Sequence, residues 1–226
     1  MKSILLSIKP QWVAKILNEE KTIEVRKQFP KDYVGWVYIY CTKDKKNYLY
    51  WDWYDPPFVE EEWFVSNIPD IWDDDRKNIN GPFNGKVIAR LWCYKVETIS
   101  LPYTYFGTDK WVSCENERTL QTETIDEQEL LEKSCISEEQ IYKYLNFKKS
   151  PKQVGYAIHF NELEIFDKPK YLTEYYKSYV ETEKGIYYQV LTKAPQKYWY
   201  IEGEVKENGN DWICYNSRNQ KLSTKR

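Results

Sequence analysis

Apolar and polar positions at the start of the chain predict a strand followed by a helix. Residues 3–8 are almost all apolar, as expected for a short buried strand. Pro10 then suits the first position of a helix, where its missing backbone N–H costs nothing. Apolar residues recur at helical spacing over residues 10–18, so one face of this helix is predicted to be buried.

Alternation of side chains predicts the strands that follow. In residues 22–26, the apolar Ile23 and Val25 fall on one face of a strand, and the charged Glu24 and Arg26 fall on the other. Longer apolar stretches predict strands at residues 34–42 and 86–96. The remaining predicted elements are helices at 126–133 and 137–146 and strands at 155–160, 163–166 and 197–202.

This order of elements indicates the fold class. Strands and helices do not alternate regularly and no internal repeat is present, so we predict an α+β fold, a mixed β-barrel with a few short helices. No Gly/Ser-rich linker divides the chain. We expect one domain over residues 1–203, with inserts at 44–84 and 171–194 and a polar C-terminal tail at 204–226.

Charge is distributed unevenly. The whole chain of 226 residues has 33 basic and 35 acidic residues, a net charge of −2, which excludes a uniformly basic nucleic-acid coat. Residues 51–76 hold nine acidic residues and one basic residue, net −8. We expect this segment to be anchored by Trp51, Trp53, Trp63 and Trp72, with its carboxylates turned to solvent. It could also cover a basic cleft, or dock on a basic protein partner by imitating phosphate charge.

Several classes of chemistry find no support in the sequence. The five cysteines are scattered, with no Cys-x-x-Cys pair, and there is one histidine, so we expect reduced thiols and neither a metal nor another cofactor. The Gly-rich phosphate-binding motifs and His-Glu-x-x-His are absent. No apolar run approaches the ~20 residues that a membrane helix needs. We therefore expect a cytoplasmic monomer.

The most informative chemistry lies around Lys21. A lysine that follows a turn and precedes an arginine by five positions sits in a positive field, which lowers its pKa and favours the neutral amine as a base or nucleophile. Glu24 can pair with Lys21 or orient Arg26, whose planar fork suits a phosphate or a base edge. An ordinary ion-paired strand face is the alternative interpretation of these three residues.

Further candidates could border the same cleft. Lys9 and Lys43 leave neighbouring predicted strands, and Thr42 adds a hydroxyl group. Trp199 could stack on a base, although a tryptophan in such a strand is commonly part of the core. His159 could contribute to the site or be a hydrogen-bonded structural residue.

Residues 5–27 resemble the ASCH domain of the PUA-like superfamily. The family motif Gly-x-Lys-x-x-Glu-x-Arg stands here as residues 19–26, in which Lys21, Glu24 and Arg26 match and Glu19 replaces the glycine. That replacement suggests that the turn needs no positive φ. The resemblance covers residues 1–43 and 85–202 and is to the longer members of phages and bacteria.

The resemblance implies binding of RNA or of a modified nucleoside beside the motif helix. It places Lys21, Glu24 and Arg26 in one accessible concavity, with Lys9 or Lys43 at its edge. Some ASCH members hydrolyse the amide of N-acetylated cytidine with the motif lysine, a threonine and a glutamate, and here Glu24 stands at that threonine position. Others are described as ribonucleases. Whether this chain is an enzyme acting through Lys21 is left open.

Overall fold

The computed structural model describes residues 2–53, 61–67, 80–100, 112–114, 127–147, 154–183, 185–204, 212–215 and 221–225. Its first half contains β1 (Ser3–Ile8), α1 (Pro10–Leu17), β2 (Ile23–Arg26), β3 (Gly35–Cys41), β4 (Tyr48–Trp53), β5 (Glu61–Ser66), β6 (Val87–Ser100) and β7 (Val112–Cys114). The second half contains α2 (Glu127–Ser134), α3 (Glu138–Leu145), β8 (Val154–Lys170), one 3₁₀ turn (Leu172–Glu174), β9 (Tyr175–Thr182), β10 (Gly185–Val190), β11 (Tyr198–Ile201), β12 (Gly203–Glu204), β13 (Trp212–Tyr215) and β14 (Lys221–Lys225). None of the described helices combines the length and the apolar character that crossing a membrane requires.

The chain forms two compact units whose segments alternate in sequence. Unit 1 comprises Met1–Ala14, Gly35–Leu91 and Glu164–Arg226, and unit 2 comprises Lys15–Val34 and Trp92–Leu163. Strands β6 and β8 each begin in one unit and end in the other. The single domain predicted over residues 1–203 therefore contains two compact units.

The largest sheet confirms the predicted α+β class. Its strand order is β11-β1-β3-β6-β8-β2, with β7 also paired to β6. The strands predicted at residues 22–26, 34–42 and 86–96 all belong to it, as β2, β3 and β6.

The predicted barrel, however, is not closed in the described part of the chain. The sheet path ends at β11 and β2, which have only four residues each. Barrel closure requires strands that tilt and stagger around an axis, and end strands of this length offer few ladder bonds for it.

In unit 1 the core forms where the first strands of the chain pair. Strand β1 runs parallel to β3, so Leu5 lies beside Tyr38, and it runs antiparallel to β11, which places Trp199 on its other side. Leu5 is fully buried and Tyr38 nearly so, and Tyr175 packs edge-on against Tyr38 with 5.3 Å between ring centroids.

The helix predicted from the apolar spacing of residues 10–18 is confirmed by α1.

Two smaller sheets of unit 1 lie in regions predicted as inserts and tail. One has the order β12-β9-β10-β13-β14, drawn from the second predicted insert and from residues 203–225. Four of its tyrosines form two adjacent pairs, Tyr175 with Tyr176 and Tyr187 with Tyr188, and Tyr188 lies opposite Tyr179 across β10 and β9. Tyrosine favours strands, but adjacent tyrosines do not give the two-residue alternation of apolar and polar side chains, so these strands are not predicted from the sequence.

The other small sheet is the hairpin of β4 and β5 within the acidic segment. Trp51 stacks on its cross-strand partner Trp63 with 6.2 Å between ring centroids. The expectation that the carboxylates turn to solvent is wrong for Asp52, which is only 5% exposed, because strand alternation places it on the same face as the buried Tyr50. The side chain of Trp53 and the whole of Trp72 lie outside the described residues, so their anchoring role stays a prediction.

In unit 2, α3 has a complete N-terminal cap and packs into an apolar core. Ser137 Oγ accepts from the backbone N–H of Gln140, and Gln140 Oε1 accepts from the backbone N–H of Ser137, so both helix-end donors are satisfied. The helix predicted at residues 137–146 is confirmed by α3. Ile141 and Leu145 of the helix are fully buried with Ile23 and Val25 of β2.

The close approach of Leu145 to Gly155 generates the first prediction. A Cβ added at Gly155 would lie 2.5 Å from Leu145 Cδ1, inside van der Waals contact. Because Leu145 is fully buried, Gly155→Ala should destabilise the protein by about 1–3 kcal/mol through overpacking. Gly203→Ala is the matched control, since its nearest neighbour would be the hydroxyl group at the end of the Tyr176 side chain, at 3.3 Å. Denaturant unfolding of both variants measures the difference, and equal stabilities would contradict the packing.

Candidate functional site

Lys21 is positioned by a tight turn at the end of α1. The backbone N–H of Lys21 donates to Lys15 O at 3.0 Å, and that of Glu19 donates to Ile16 O at 3.0 Å. Glu19 has φ of 60°, in the left-handed region. The expectation that this turn needs no positive φ is therefore wrong: Glu19 adopts the conformation that a glycine would adopt more easily.

The side chains of Lys21, Glu24 and Arg26 form one network with the carboxylate of Glu24 at its centre. Lys21 Nζ lies 3.3 Å from Glu24 Oε2, and Arg26 Nη2 lies 3.1 Å from Glu24 Oε1. Lys21 Nζ also donates a short hydrogen bond to Ser134 O in the last turn of α2. Both ends of the carboxylate thus contact a cation.

The side chains at the centre of this network are buried, and burial changes the pKa of Lys21. The side chain of Lys21 is 0% exposed and that of Glu24 is 5% exposed. Burial lowers the pKa of Lys21, and Glu24 opposes this only in part. Burial is thus the main cause of the shift, and the positive field of Arg26, which the sequence analysis expected to lower the pKa of Lys21, contributes least.

The predicted access to solvent is wrong for Lys21 and Glu24. The C-terminal turn of α2 lies over Lys21, because Ser134 O accepts from its ammonium group, and Thr22 N donates to Lys133 O at 3.0 Å. The sequence between residues 100 and 127 carries no signal that α2 would return to this turn. Arg26, by contrast, keeps 18% of its side chain exposed.

Arg26 continues into an exposed surface that we call the cationic-aromatic patch: Arg26, Lys27, Tyr142, Lys143 and Tyr144. Arg26 donates a hydrogen bond to the phenol of Tyr144, and Lys27 Nζ lies 5.4 Å from the centroid of the same ring. Tyr142 is 37% exposed and Tyr144 is 40% exposed. The patch brings Arg26 at the end of β2 and the following Lys27 to the aromatic surface of α3. The sequence does not single out Tyr142 and Tyr144, because they lie between the buried Ile141 and Leu145 in a helix with apolar residues on one face.

His159 belongs to a second buried group of unit 2. Its Nε2 lies 2.5 Å from Glu97 Oε2, and Lys95 Nζ lies 2.7 Å from Glu97 Oε1. His159 is 7% exposed and Glu97 is 2% exposed. Burial alone would raise the pKa of Glu97, but His159 and Lys95 lower it below its ordinary value. Glu97 was missed, although its spacing from the buried Ile99 places both on one face of β6.

The other predicted site residues belong to unit 1. Thr42 N donates to Ile8 O at 2.8 Å, which holds the ends of β1 and β3 together beside the exposed Lys9 and Lys43. Trp199 packs against the unit 1 core, and Lys177 Nζ lies 3.3 Å from its ring centroid. The ends of β1 and β3 thus bring together Lys9, Thr42 and Lys43, whereas Trp199 packs against the core of unit 1.

Metal-ligating side chains do not cluster in the described residues: no three His, Cys, Asp or Glu residues there are placed to hold an ion. Cys41 and Cys93 are buried free thiols, and burial raises the pKa of each to about 12. Such thiols are poor nucleophiles at neutral pH.

Comparison with known proteins gives a distant structural likeness. No family model matches the chain, and no curated protein matches it. The chain is similar to the crystal structure of ASCH from Zymomonas mobilis, at 12% identity and a TM-score of 0.45, over 88% of this chain and 87% of that one.

Two single-residue variants of that Zymomonas mobilis protein give the same result. A tyrosine-to-phenylalanine variant has a TM-score of 0.43 at 13% identity, over 88% of this chain and 90% of that one. A serine-to-alanine variant has a TM-score of 0.42 at 14% identity, over 88% of this chain and 87% of that one. All three structures are of an ASCH protein, the family that residues 5–27 resemble. At 12–14% sequence identity they are not evidence for the function of this chain.

The Glu97 group predicts a specific dependence of stability on acid. The pKa of Glu97 is lowered in the folded state from 4.5, so its ionised form stabilises the fold above that value and this contribution is lost as the pH falls through the folded pKa. Glu97→Gln should unfold more easily at pH 7 and should lose less stability than wild type between about pH 5 and pH 3.

Glu139→Gln, on the exposed face of α3, is the matched control and should follow the wild-type profile. Thermal unfolding across the pH range measures all three proteins. Parallel profiles for wild type and Glu97→Gln would show that Glu97 does not titrate differently on folding.

Proposed function

We propose that the protein binds single-stranded RNA through the cationic-aromatic patch of unit 2. The observation that carries this proposal is Tyr144, an exposed ring whose hydroxyl group accepts a hydrogen bond from Arg26 and whose centroid lies 5.4 Å from Lys27 Nζ. Bases of single-stranded RNA stack on aromatic rings, and their phosphates are neutralised by nearby cations. The patch offers both kinds of contact within a few residues.

The buried network beneath the patch supports this role. Glu24 lies 3.1 Å from Arg26 Nη2, so the guanidinium is held in one orientation before a ligand arrives. A preorganised cation loses less entropy on binding than a mobile one. The resemblance of residues 19–26 to the ASCH motif also favours RNA or a modified nucleoside as the ligand.

The number of cations sets the strength and the salt dependence of binding. Arg26, Lys27 and Lys143 are the cations of the patch, and neutralising about three phosphates gives a shallow salt slope of roughly −2 for a single strand. With a net charge of −2 on the whole chain, long-range steering adds little. We therefore expect weak binding that falls as salt rises.

The test removes the exposed contacts of the patch and leaves the buried network intact. Lys27→Ala combined with Tyr144→Ala should weaken binding of a fluorescent single-stranded RNA by about tenfold or more, since one stacked base alone contributes ~1–3 kcal/mol. Fluorescence anisotropy at two salt concentrations gives both the affinity and the slope. The lost cation should also make the slope shallower by about 0.7.

The control is a matched pair of exposed residues elsewhere, Lys31→Ala combined with Tyr200→Ala. This variant should bind as wild type does, and thermal unfolding should show both variants folded. RNA affinity that is equal in the two double variants would reject the patch as the binding surface.

A second candidate function is hydrolysis of an N-acylated cytidine through Lys21. It is favoured by burial, which lowers the pKa of Lys21, and by the carboxylate of Glu24 at 3.3 Å. Because the Lys21 side chain is 0% exposed, a substrate would have to displace the turn of α2 that covers it. Water would attack the amide carbonyl, and the products would be cytidine and the carboxylic acid.

Release of cytidine from N-acetylated cytidine tests this candidate separately. If Lys21 is the base, wild type releases cytidine and Lys21→Arg does not, because a guanidinium keeps its proton near neutral pH. Lys27→Ala serves as the control that leaves Lys21 and Glu24 unchanged. Release that is equal in wild type and Lys21→Arg would exclude Lys21 as the base.

A further inference from the structure

Unit 1 contains a cavity of about 550 Å³ between the β4–β5 hairpin, residues 80–86 and β8. This volume lies in the range of small-molecule binding sites. The cavity includes none of the residues that the sequence analysis singled out for RNA contact, and the patch of unit 2 does not line it. It is therefore a separate candidate site.

Aromatic rings form much of the cavity wall. Trp51 and Trp63 are stacked at 6.2 Å with 28° between their planes, and Phe83 lies 5.2 Å from Trp63. Phe166 of β8 completes this set. Trp63 is buried, whereas Trp51, Phe83 and Phe166 are half-buried. Large flat rings that keep part of their surface open favour a flat ligand that can stack on them.

The wall is held in place before any ligand binds. Asn80 and Trp51 exchange two backbone hydrogen bonds, of 2.8 and 3.0 Å, and Phe83 N donates to Leu49 O at 2.9 Å. Gly81 has φ of 145°, and a Cβ there would lie 2.6 Å from Tyr50 Cδ1, so the segment touches β4 closely. A site built on such a fixed segment loses little entropy on binding.

Two side chains of opposite charge line this cavity. Lys86 and Asp167 both line it, from the segment before β6 and from β8. The ammonium group donates hydrogen bonds only, and the carboxylate accepts them only. A neutral ligand with one acceptor and one donor on the edge of its ring can satisfy both.

We propose that this cavity binds a nucleobase that carries both an oxo and an amino group, that is, cytosine or guanine. The base stacks against Trp51 and Phe166, Lys86 donates to its oxo group, and Asp167 accepts from its amino group. A carboxylate that accepts from the exocyclic amine of cytosine is a known mode of base recognition. This goes beyond the proposed function, because the site, the contacts and the unit are different.

Matched pairs of nucleosides test the donor–acceptor pattern without the phosphate. Uridine has an oxo group and a protonated N3 where cytidine has its amino group and an unprotonated N3, and inosine has a hydrogen where guanosine has its amino group. Calorimetric titration of the full chain should show cytidine and guanosine binding about tenfold or more tightly than uridine and inosine, because one good base contact gives ~1–3 kcal/mol of discrimination. Asp167→Asn should remove this preference, and Asp32→Asn, at another exposed aspartate, should keep it.

Two variants test the location of the site. Trp51→Ala removes the stacking surface and should abolish nucleoside binding. Because Trp51 also packs on Trp63, Ile165→Trp is the second variant: Ile165 is 37% exposed and lines the cavity, so a larger ring there fills the space without removing a packed group. The patch variant Lys27→Ala with Tyr144→Ala should still bind cytidine, which separates this proposal from the RNA proposal.

Competition distinguishes the two sources of such a base. A short oligocytidine that displaces cytidine assigns the cavity to bases within RNA, and an oligocytidine that does not displace it assigns the cavity to free nucleosides. Equal affinity for cytidine and uridine would overturn the proposal. Cytidine binding that persists in both Trp51→Ala and Ile165→Trp would also overturn it, as would no binding of any nucleoside to wild type.

Discussion

The carboxylate of Glu24 is the constraint on which the candidate site of unit 2 depends. It is 4% exposed, it lies between Lys21 and Arg26, and it contacts both. An ionised group in such a place needs partners on each oxygen, since an unpaired buried charge costs several kcal/mol. The turn that delivers Lys21, the strand that delivers Arg26 and the helix end that caps Lys21 are therefore linked through one side chain.

That linkage explains why a buried lysine and a half-buried arginine occur together. The ammonium group of Lys21 donates to Ser134 O and is closed off from solvent, whereas the side chain of Arg26 extends past Glu24 to Tyr144. The buried Lys21 fixes the carboxylate, and the carboxylate fixes the half-buried Arg26. Under the RNA-binding proposal Lys21 would be a positioning residue, whereas the hydrolysis candidate needs its amine to reach a substrate.

Predictions from the sequence succeeded where the residues that determine a feature lie close together in the chain. The alternation of Ile23 and Val25 against Glu24 and Arg26 is local, and it predicted both the strand and the charged group. The return of Ser134 over Lys21 is a contact across more than a hundred residues, and no pattern near Lys21 encodes it. The pairing of His159 with Glu97 likewise joins two distant strands, and neither residue alone reveals its partner.

The two aromatic sites differ in the forces that would select their ligands. At the patch, the cations Arg26 and Lys27 both contact one exposed ring, so under the RNA proposal phosphate charge would contribute and salt would weaken binding. At the cavity, one ammonium and one carboxylate accompany the half-buried Trp51 and the buried Trp63, so the charges would nearly cancel at long range and stacking would dominate. Binding of an uncharged nucleoside there should change little with salt. Under the two proposals, unit 2 would hold an RNA strand by its backbone and unit 1 would recognise a single base.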